Sequence, residues 1–272
     1  MEKTLRILDR VVTILACVLF ILLLFCVSIL PIAKSKKYYM NQHHKNDVVG
    51  ILEEYTFNGV THRAYDSEGN EIIYCYPSDY EVTWELVEKA TNKIIDYLYN
   101  KDVESMQFQI EHNGKEYDFF TNQAIVHMVD VKVLFIGGIN LCYLCIVLFV
   151  LCVGYLIYRR NYIKNYIVKT YIISVIAFFA VISCVILFVL IDFDTAFTVF
   201  HYLIFNSADA ELAISFSYYD TLTNVLTAEF FMTIGLTISI TFVCLLALSV
   251  TSCLLIKKYG YKLLKKEKIH NV

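Results

Sequence analysis

The sequence predicts an α-helical membrane protein with four transmembrane helices, both termini cytoplasmic, and a small α+β extracytoplasmic domain between the first and second helices. Three observations predict it. Hydrophobic residues make up 58% of the 272 positions and charged residues only 18%, a composition outside the range of soluble domains. Four stretches, Val11 to Ala33, Val133 to Tyr158, Tyr166 to Ile191 and Phe230 to Ile256, each have the roughly 20 apolar residues needed to cross about 30 Å of hydrocarbon. The net charge of -3 is also sorted by segment. Arg159, Arg160, Lys164 and Lys169 lie between the second and third stretches, Lys257 to Lys268 follow the fourth, and Lys3, Arg6 and Arg10 precede the first. Asp192 to Phe231 holds no Lys or Arg. Cationic loops stay cytoplasmic, so the cation-free stretch and the segment from Lys34 to Lys132 face the other side. The basic segments are topology signals and anchors for anionic membrane lipid; no nucleic-acid partner is expected.

The chain therefore divides into 1–33, the N-terminus and first span; 34–132, the extracytoplasmic domain; 133–191, the second and third spans with their basic loop; 192–229, an extracytoplasmic interfacial helix and loop; and 230–272, the fourth span and basic tail. The first apolar run exceeds the 7 to 15 residues of about the usual cleaved signal, and Pro31-Ile32-Ala33-Lys34 is a poor cleavage site, so the first helix is read as uncleaved. In the domain, Tyr55 to Phe57, Asn58-Gly59 and Val60 to Tyr65 read as a hairpin, because Asn-Gly accepts the positive φ of a tight turn. A strand follows at Glu71 to Tyr76, an amphipathic helix at Trp84 to Leu98, and a second hairpin at Phe108 to Phe119 around Asn113-Gly114. Thr121 or Asn122 caps a helix that runs on into the second span.

Of the nine cysteines, only Cys75 lies outside the predicted spans, so the extracytoplasmic domain folds without an internal disulfide. Cys142 and Cys145 have CxxC spacing, but inside an apolar helix they read as small packing residues. His43-His44 reads as a solvated linker, and His62, His112 and His270 as surface residues. No metal or cofactor is expected. Phosphate-loop, zinc-protease and serine-hydrolase patterns are missing from the sequence.

Two histidines stand apart. His127 falls about two turns before Val133, near the headgroup layer at roughly 1.5 Å of rise per residue, with Asp130 three positions on along the same face. His201 shares a helical face with Asp194, Thr198 and Phe205, beside a second face of Phe193, Phe197, Phe200 and Ile204. That spacing predicts an interfacial helix with its aromatics in lipid or against the bundle and His201 toward a polar pocket. Both histidines fall at the outer ends of the spans. On physical grounds alone, each also fits as an amphipathic ring at the headgroup boundary.

The motifs HMVDVK at His127 to Lys132, FHYLIF at Phe200 to Phe205, Asp220-Thr221-Leu222, Glu229-Phe230-Phe231 and Ile94 to Leu98 resemble those of the bacterial lipoprotein intramolecular transacylases. Thr227 and Ala124 stand where that pattern often has Pro and an acidic residue. The resemblance implies an enzyme that acts on diacylglyceryl-modified lipoproteins, moving the sn-2 acyl chain of the diacylglyceryl-cysteine to the α-amino group of the same cysteine. His127 and His201 are then catalytic, one as acid/base shuttle and the other as oxyanion donor, the assignment between them left open. Asp130, Glu229, Asp220 and Lys132 are supporting or orienting residues, and Phe200, Phe205 and Met128 bind substrate. The alternatives are a non-catalytic four-span scaffold or partner subunit, and a lipid-ester hydrolase with water as acceptor.

Overall fold

The computed structural model describes residues 2–66, 68–159, 167–205, 211 and 214–270. Arg160 and Lys164 of the basic loop lie outside the described residues. Among the described residues, four helices are long and apolar enough to cross a membrane: Thr4–Ala33, Asn122–Tyr158, Ile167–Ile191 and Ala228–Tyr259. The chain forms two compact units, one of Met1–Pro31, Asn140–Leu187 and Leu236–Val272, the other of Ile32–Ile139 and Phe188–Gly235.

The first unit is built from parts of α1 (Glu2–Ala33), α5 (Asn122–Tyr158), α6 (Ile167–Ile191) and α9 (Ala228–His270). Cys17 and Ile21 of α1 pack with Tyr171 of α6 and with Phe242 and Leu246 of α9. Ala16 and Leu19 of α1 pack with Cys145 and Cys152 of α5. Small and medium side chains let the backbones approach where apolar surface alone gives no preference over lipid. Two further links tie α1 to α5. The Arg159 guanidinium donates to both carboxylate oxygens of Asp9 at 3.0 Å, and the Tyr155 hydroxyl donates to the same group at 2.8 Å. Asp9 is nearly inaccessible, so its charge is neutralised by this bidentate pair. The second link corrects the reading of Cys142 as a packing residue: it forms a disulfide with Cys26, the Cα atoms 6.6 Å apart. Packing α1 against α5 brings two thiols distant in sequence within bridging reach. Cys145 is a buried packing residue, as expected.

The second unit opens with α2 (Lys36–Lys45), α3 (Val48–Ile51) and a single π-helical turn at Leu52–Thr56. The hairpin read at Tyr55 to Tyr65 is not formed. Asn58 instead closes the π turn, its amide donating to the carbonyls of Glu54 and Tyr55, and Gly59 takes a φ of 75° just beyond it. The same preference for positive φ that makes Asn-Gly a hairpin turn also suits the end of a helical segment. The strand that follows, β1 (Thr61–Tyr65), pairs antiparallel with β2 (Glu71–Cys75) in register Arg63 to Ile73. The hairpin β3 (Gln109–His112) and β4 (Lys115–Asp118) forms as read, with Asn113 and Gly114 both at positive φ.

At the centre lies α4 (Trp84–Tyr99), capped by Thr83, whose hydroxyl accepts from Leu86 N. Its buried side, including Val87, Ala90, Ile94 and Leu98, gathers Val48, Leu52, Phe57, Tyr76, Phe119, Met128 and Val225 into one core. Two expectations about histidines are reversed here. His43 is wholly buried between Tyr39 and Phe230, and His44 lies on Trp84 with ring centres 3.8 Å apart. His62 is buried among Tyr74, Tyr76 and Tyr219. His112 is half-buried and bonds Asp79 at 2.9 Å, while the side chain of His270 lies outside the described residues.

Candidate active site

The site belongs to the second unit and is assembled from the start of α5, from α7 (Phe193–Ile204), from α8 (Thr221–Val225) and from the start of α9. Each segment begins with a capping side chain that fixes its first turn. The Thr121 hydroxyl accepts from Ala124 N at 3.2 Å, Asp192 accepts from Thr195 N at 3.0 Å, Asp220 accepts from Leu222 N at 2.8 Å, and Thr227 accepts from Phe230 N at 3.2 Å. Caps of this kind each contribute about 1 kcal/mol and set the direction in which a helix leaves its loop.

His127, half-buried on α5, and His201, buried on α7, line one cavity with ring centres 5.9 Å apart. His201 Nδ1 lies 2.7 Å from the carbonyl oxygen of Phe197 one turn back. A carbonyl only accepts, so Nδ1 carries the proton, and in the neutral ring Nε2 holds the lone pair. Burial lowers the pKa of His201, opposed by the Phe197 carbonyl, which favours the charged ring. Phe197, Phe200 and Phe205 surround it at 4.1, 5.5 and 5.6 Å between ring centres. His127 lies edge to face with Phe205 at 5.6 Å and with Phe216 at 5.7 Å. Its Nδ1 is closed off from solvent and has no hydrogen-bond partner among the described residues.

The cavity measures about 520 Å3, within the range of about 300–1,000 Å3 seen for small-molecule sites. Its walls are Phe193, Phe197, Phe200, Phe205, Phe216, Phe230 and Phe231 together with Leu98, Met128, Val131 and Leu222; besides the two histidines, Asp194 and Thr223 are its polar members, with Tyr39 at the edge of both classes. The polar pocket expected around His201 is thus largely apolar. Both helical faces read for α7 contribute to it, because aromatics on the second face turn toward the cavity. Among the described residues no group of three or more His, Cys, Asp or Glu side chains is placed to hold a metal.

A family model described as "Lipoprotein intramolecular transacylase Lit" matches residues 13–231. The chain belongs to this family. Its fold is similar to that of the membrane-integral Lit transacylase from Bacillus cereus, with a TM-score of 0.64 at 16% identity over 96% of this chain and 98% of the other. A variant of the Bacillus cereus protein in which one histidine is replaced by alanine gives a TM-score of 0.63 at 15% identity, covering 98% and 99%. No curated protein matches in sequence. The family makes the chain a multi-pass membrane acyltransferase that acts on lipoproteins.

Around this cavity, the residues singled out by motif divide into two groups. Met128, Phe200 and Phe205 line it with the histidines. The other four do not. Lys132 reaches away, donating to the Val103 carbonyl and lying 4.3 Å over the Tyr97 ring, so it fixes α5 against the end of α4. Burial raises the pKa of Tyr97, and the nearby charge of Asp130 adds to the rise. Glu229 is exposed on the first turn of α9 and lines an adjoining groove. Asp220 is fully buried; it caps α8 and accepts from the Thr121 hydroxyl at 2.6 Å, joining the start of α5 to the start of α8. Burial pushes its pKa up to about 6 despite these bonds. It positions both the His127 helix and Leu222 without touching either imidazole. Phe197, Phe216 and Thr223 are cavity residues that the motifs left out. The spacing of Phe193, Phe197 and Phe200 marks an aromatic face, whereas Phe216 comes from irregular chain and Thr223 from the five-residue α8, which is too short to carry a periodic signal.

Proposed function

We propose that this chain moves the sn-2 acyl chain of a diacylglyceryl-cysteine lipoprotein onto the α-amino group of the same cysteine, leaving an N-acyl lyso-lipoprotein, with His201 as base and His127 as oxyanion donor. The observation that carries the proposal is the pairing of the two histidines in one apolar cavity of a Lit-family chain. The cavity-bearing unit faces the extracytoplasmic side, where the donor ester lies; the cation-free stretch Asp192 to Phe231 supports that orientation.

The amine attacks the ester carbonyl, forming a C–N bond and an oxyanion. His201 Nε2 takes a proton from the nitrogen and returns it to the sn-2 glycerol oxygen as the C–O bond breaks. The proton balance closes with no net change in the enzyme. Burial keeps His201 in the neutral, proton-accepting form at neutral pH. His127, whose ring lines the same cavity, donates a ring proton to the developing oxyanion. Nucleophile and electrophile reside in one molecule, so no acyl-enzyme is required, and holding them in contact supplies much of the acceleration.

The test is mass spectrometry of lipoprotein N-terminal peptides from cells expressing the intact protein, His127→Ala or His201→Ala. The intact protein yields N-acyl lyso peptides and each variant leaves diacyl peptides with free amines. Diacyl N-termini in cells with the intact protein would overturn the proposal; free fatty acid without N-acylation would mark a hydrolase.

A further inference from the structure

A second opening runs beside the histidine cavity and shares part of its wall. Asp194, Phe197, Phe216, Thr223 and Ala228 line both. The two differ in chemistry. The histidine cavity is walled by aromatic and aliphatic groups. The neighbouring groove, about 840 Å3, carries the carboxylates of Glu54, Asp194 and Glu229, with no Lys or Arg among its described lining residues. Asn46 also lines it; its side-chain nitrogen is closed off from solvent and has no hydrogen-bond partner among the described residues. Tyr55 and Tyr218, in edge-to-face contact at 4.7 Å, complete an aromatic wall.

We propose that this groove binds the polypeptide that follows the lipidated cysteine and favours basic over acidic residues in its first few positions. The inference rests on the reaction proposed above. A diacylglyceryl-cysteine has two unlike halves joined at the reacting atoms, hydrocarbon on the ester side and polypeptide on the amine side. An apolar cavity and a polar groove that meet at one wall match those halves. Ester and amine then fall at the junction, beside Asp194 and within reach of the histidines. Carboxylates uncompensated by a lining cation give the groove a negative potential, which attracts basic side chains and repels acidic ones.

The experiment uses the full chain in non-ionic detergent and synthetic diacylglyceryl-cysteine peptides labelled at the far end. They differ only after the cysteine: Ser-Lys-Lys-Lys, Ser-Gln-Gln-Gln or Ser-Glu-Glu-Glu. Dissociation constants are read by fluorescence polarisation, and N-acylation is read separately by mass spectrometry. The basic peptide binds roughly fivefold more tightly than the acidic one, the size expected of one or two exposed ion pairs. The difference narrows as salt shortens the screening length. In the Glu54→Gln/Glu229→Gln variant, in which both altered side chains are exposed, the preference falls below about twofold. Equal binding of all three peptides to the intact protein, or an unchanged preference in the variant, overturns the groove. A preference that disappears in the variant with no N-acylated product from any peptide upholds the groove and overturns the reaction.

Discussion

Acid should destabilise the second unit through His43, and the size of the effect follows from where the ring sits. His43 is 0% exposed, stacked on Phe230 at 5.6 Å, and neither ring nitrogen has a hydrogen-bond partner among the described residues. Burial, with the neighbouring His44 adding to it, pushes its pKa down to about 4. In the unfolded chain the value returns to about 6.5. Between those two values the unfolded chain binds the proton and the folded chain does not, so stability falls as pH falls through this window and levels off below it. At about 1.4 kcal/mol per unit of pKa, the gap corresponds to roughly 3 kcal/mol. His43→Leu keeps the side chain apolar and near the same volume but removes the proton site. Trp84, the chain's only tryptophan, lies on His44 and reports this region by its fluorescence. Urea unfolding of the full chain in non-ionic detergent, followed by Trp84 at pH 7 and pH 4, should show the intact protein losing about 3 kcal/mol more than the variant. Comparing the two cancels the groups they share, including His62, whose pKa burial also lowers. Equal acid losses would mean instead that the buried ring is already hydrated or paired, and that His43 does not couple stability to pH.

Asp220 titrates in the opposite sense. Its folded pKa of about 6 lies above the usual carboxylate value, so its contribution to stability rises as pH falls through about 6 toward 4. Asp220→Asn should flatten that rise, read from the same unfolding curves. Thr121→Val removes the bond to Asp220 and the cap at Ala124, and should cost about 1–3 kcal/mol with a fall in N-acylation rate. Because burial lowers the pKa of His201, the acid limb of the kcat/KM profile should lie below the ordinary histidine value of about 6.5; a limb above it would contradict His201 as the base. Phe205→Ala removes a ring that touches both histidines and should lower kcat more than it raises KM, measured on a synthetic lipopeptide.

The elements that sequence announced are those whose signals are local. The four spans follow from unbroken apolar runs, the α4 helix from its periodicity, and the second hairpin from Asn113-Gly114. His127 and His201 were legible as a pair because each sits in a motif beside a span end. What went unread depends on partners distant in the chain. His43 and His62 look solvent-facing in their own segments, and only the packing of Phe230 and of three tyrosines buries them. Cys142 meets Cys26 only once α1 and α5 pack. Asn58-Gly59 carried the right φ preference, but the π turn before it took that preference as an ending rather than a hairpin. The apolar character of the cavity was missed for a related reason: Phe216 enters from irregular chain, and α7 turns both of its faces inward.

A crossover experiment separates intramolecular O-to-N transfer by His127 and His201 from every other fate of the acyl chain. Two diacylglyceryl-cysteine peptides of different mass, one with a deuterated sn-2 chain, are mixed with the purified protein and the products are weighed. With the intact protein, the deuterated chain should appear as an amide only on the peptide that brought it. His201→Gln should slow its appearance by about a hundredfold to ten-thousandfold, as expected for loss of a general base. Deuterium on the other peptide or in free fatty acid, or an unchanged rate in the variant, would contradict intramolecular transfer by these histidines.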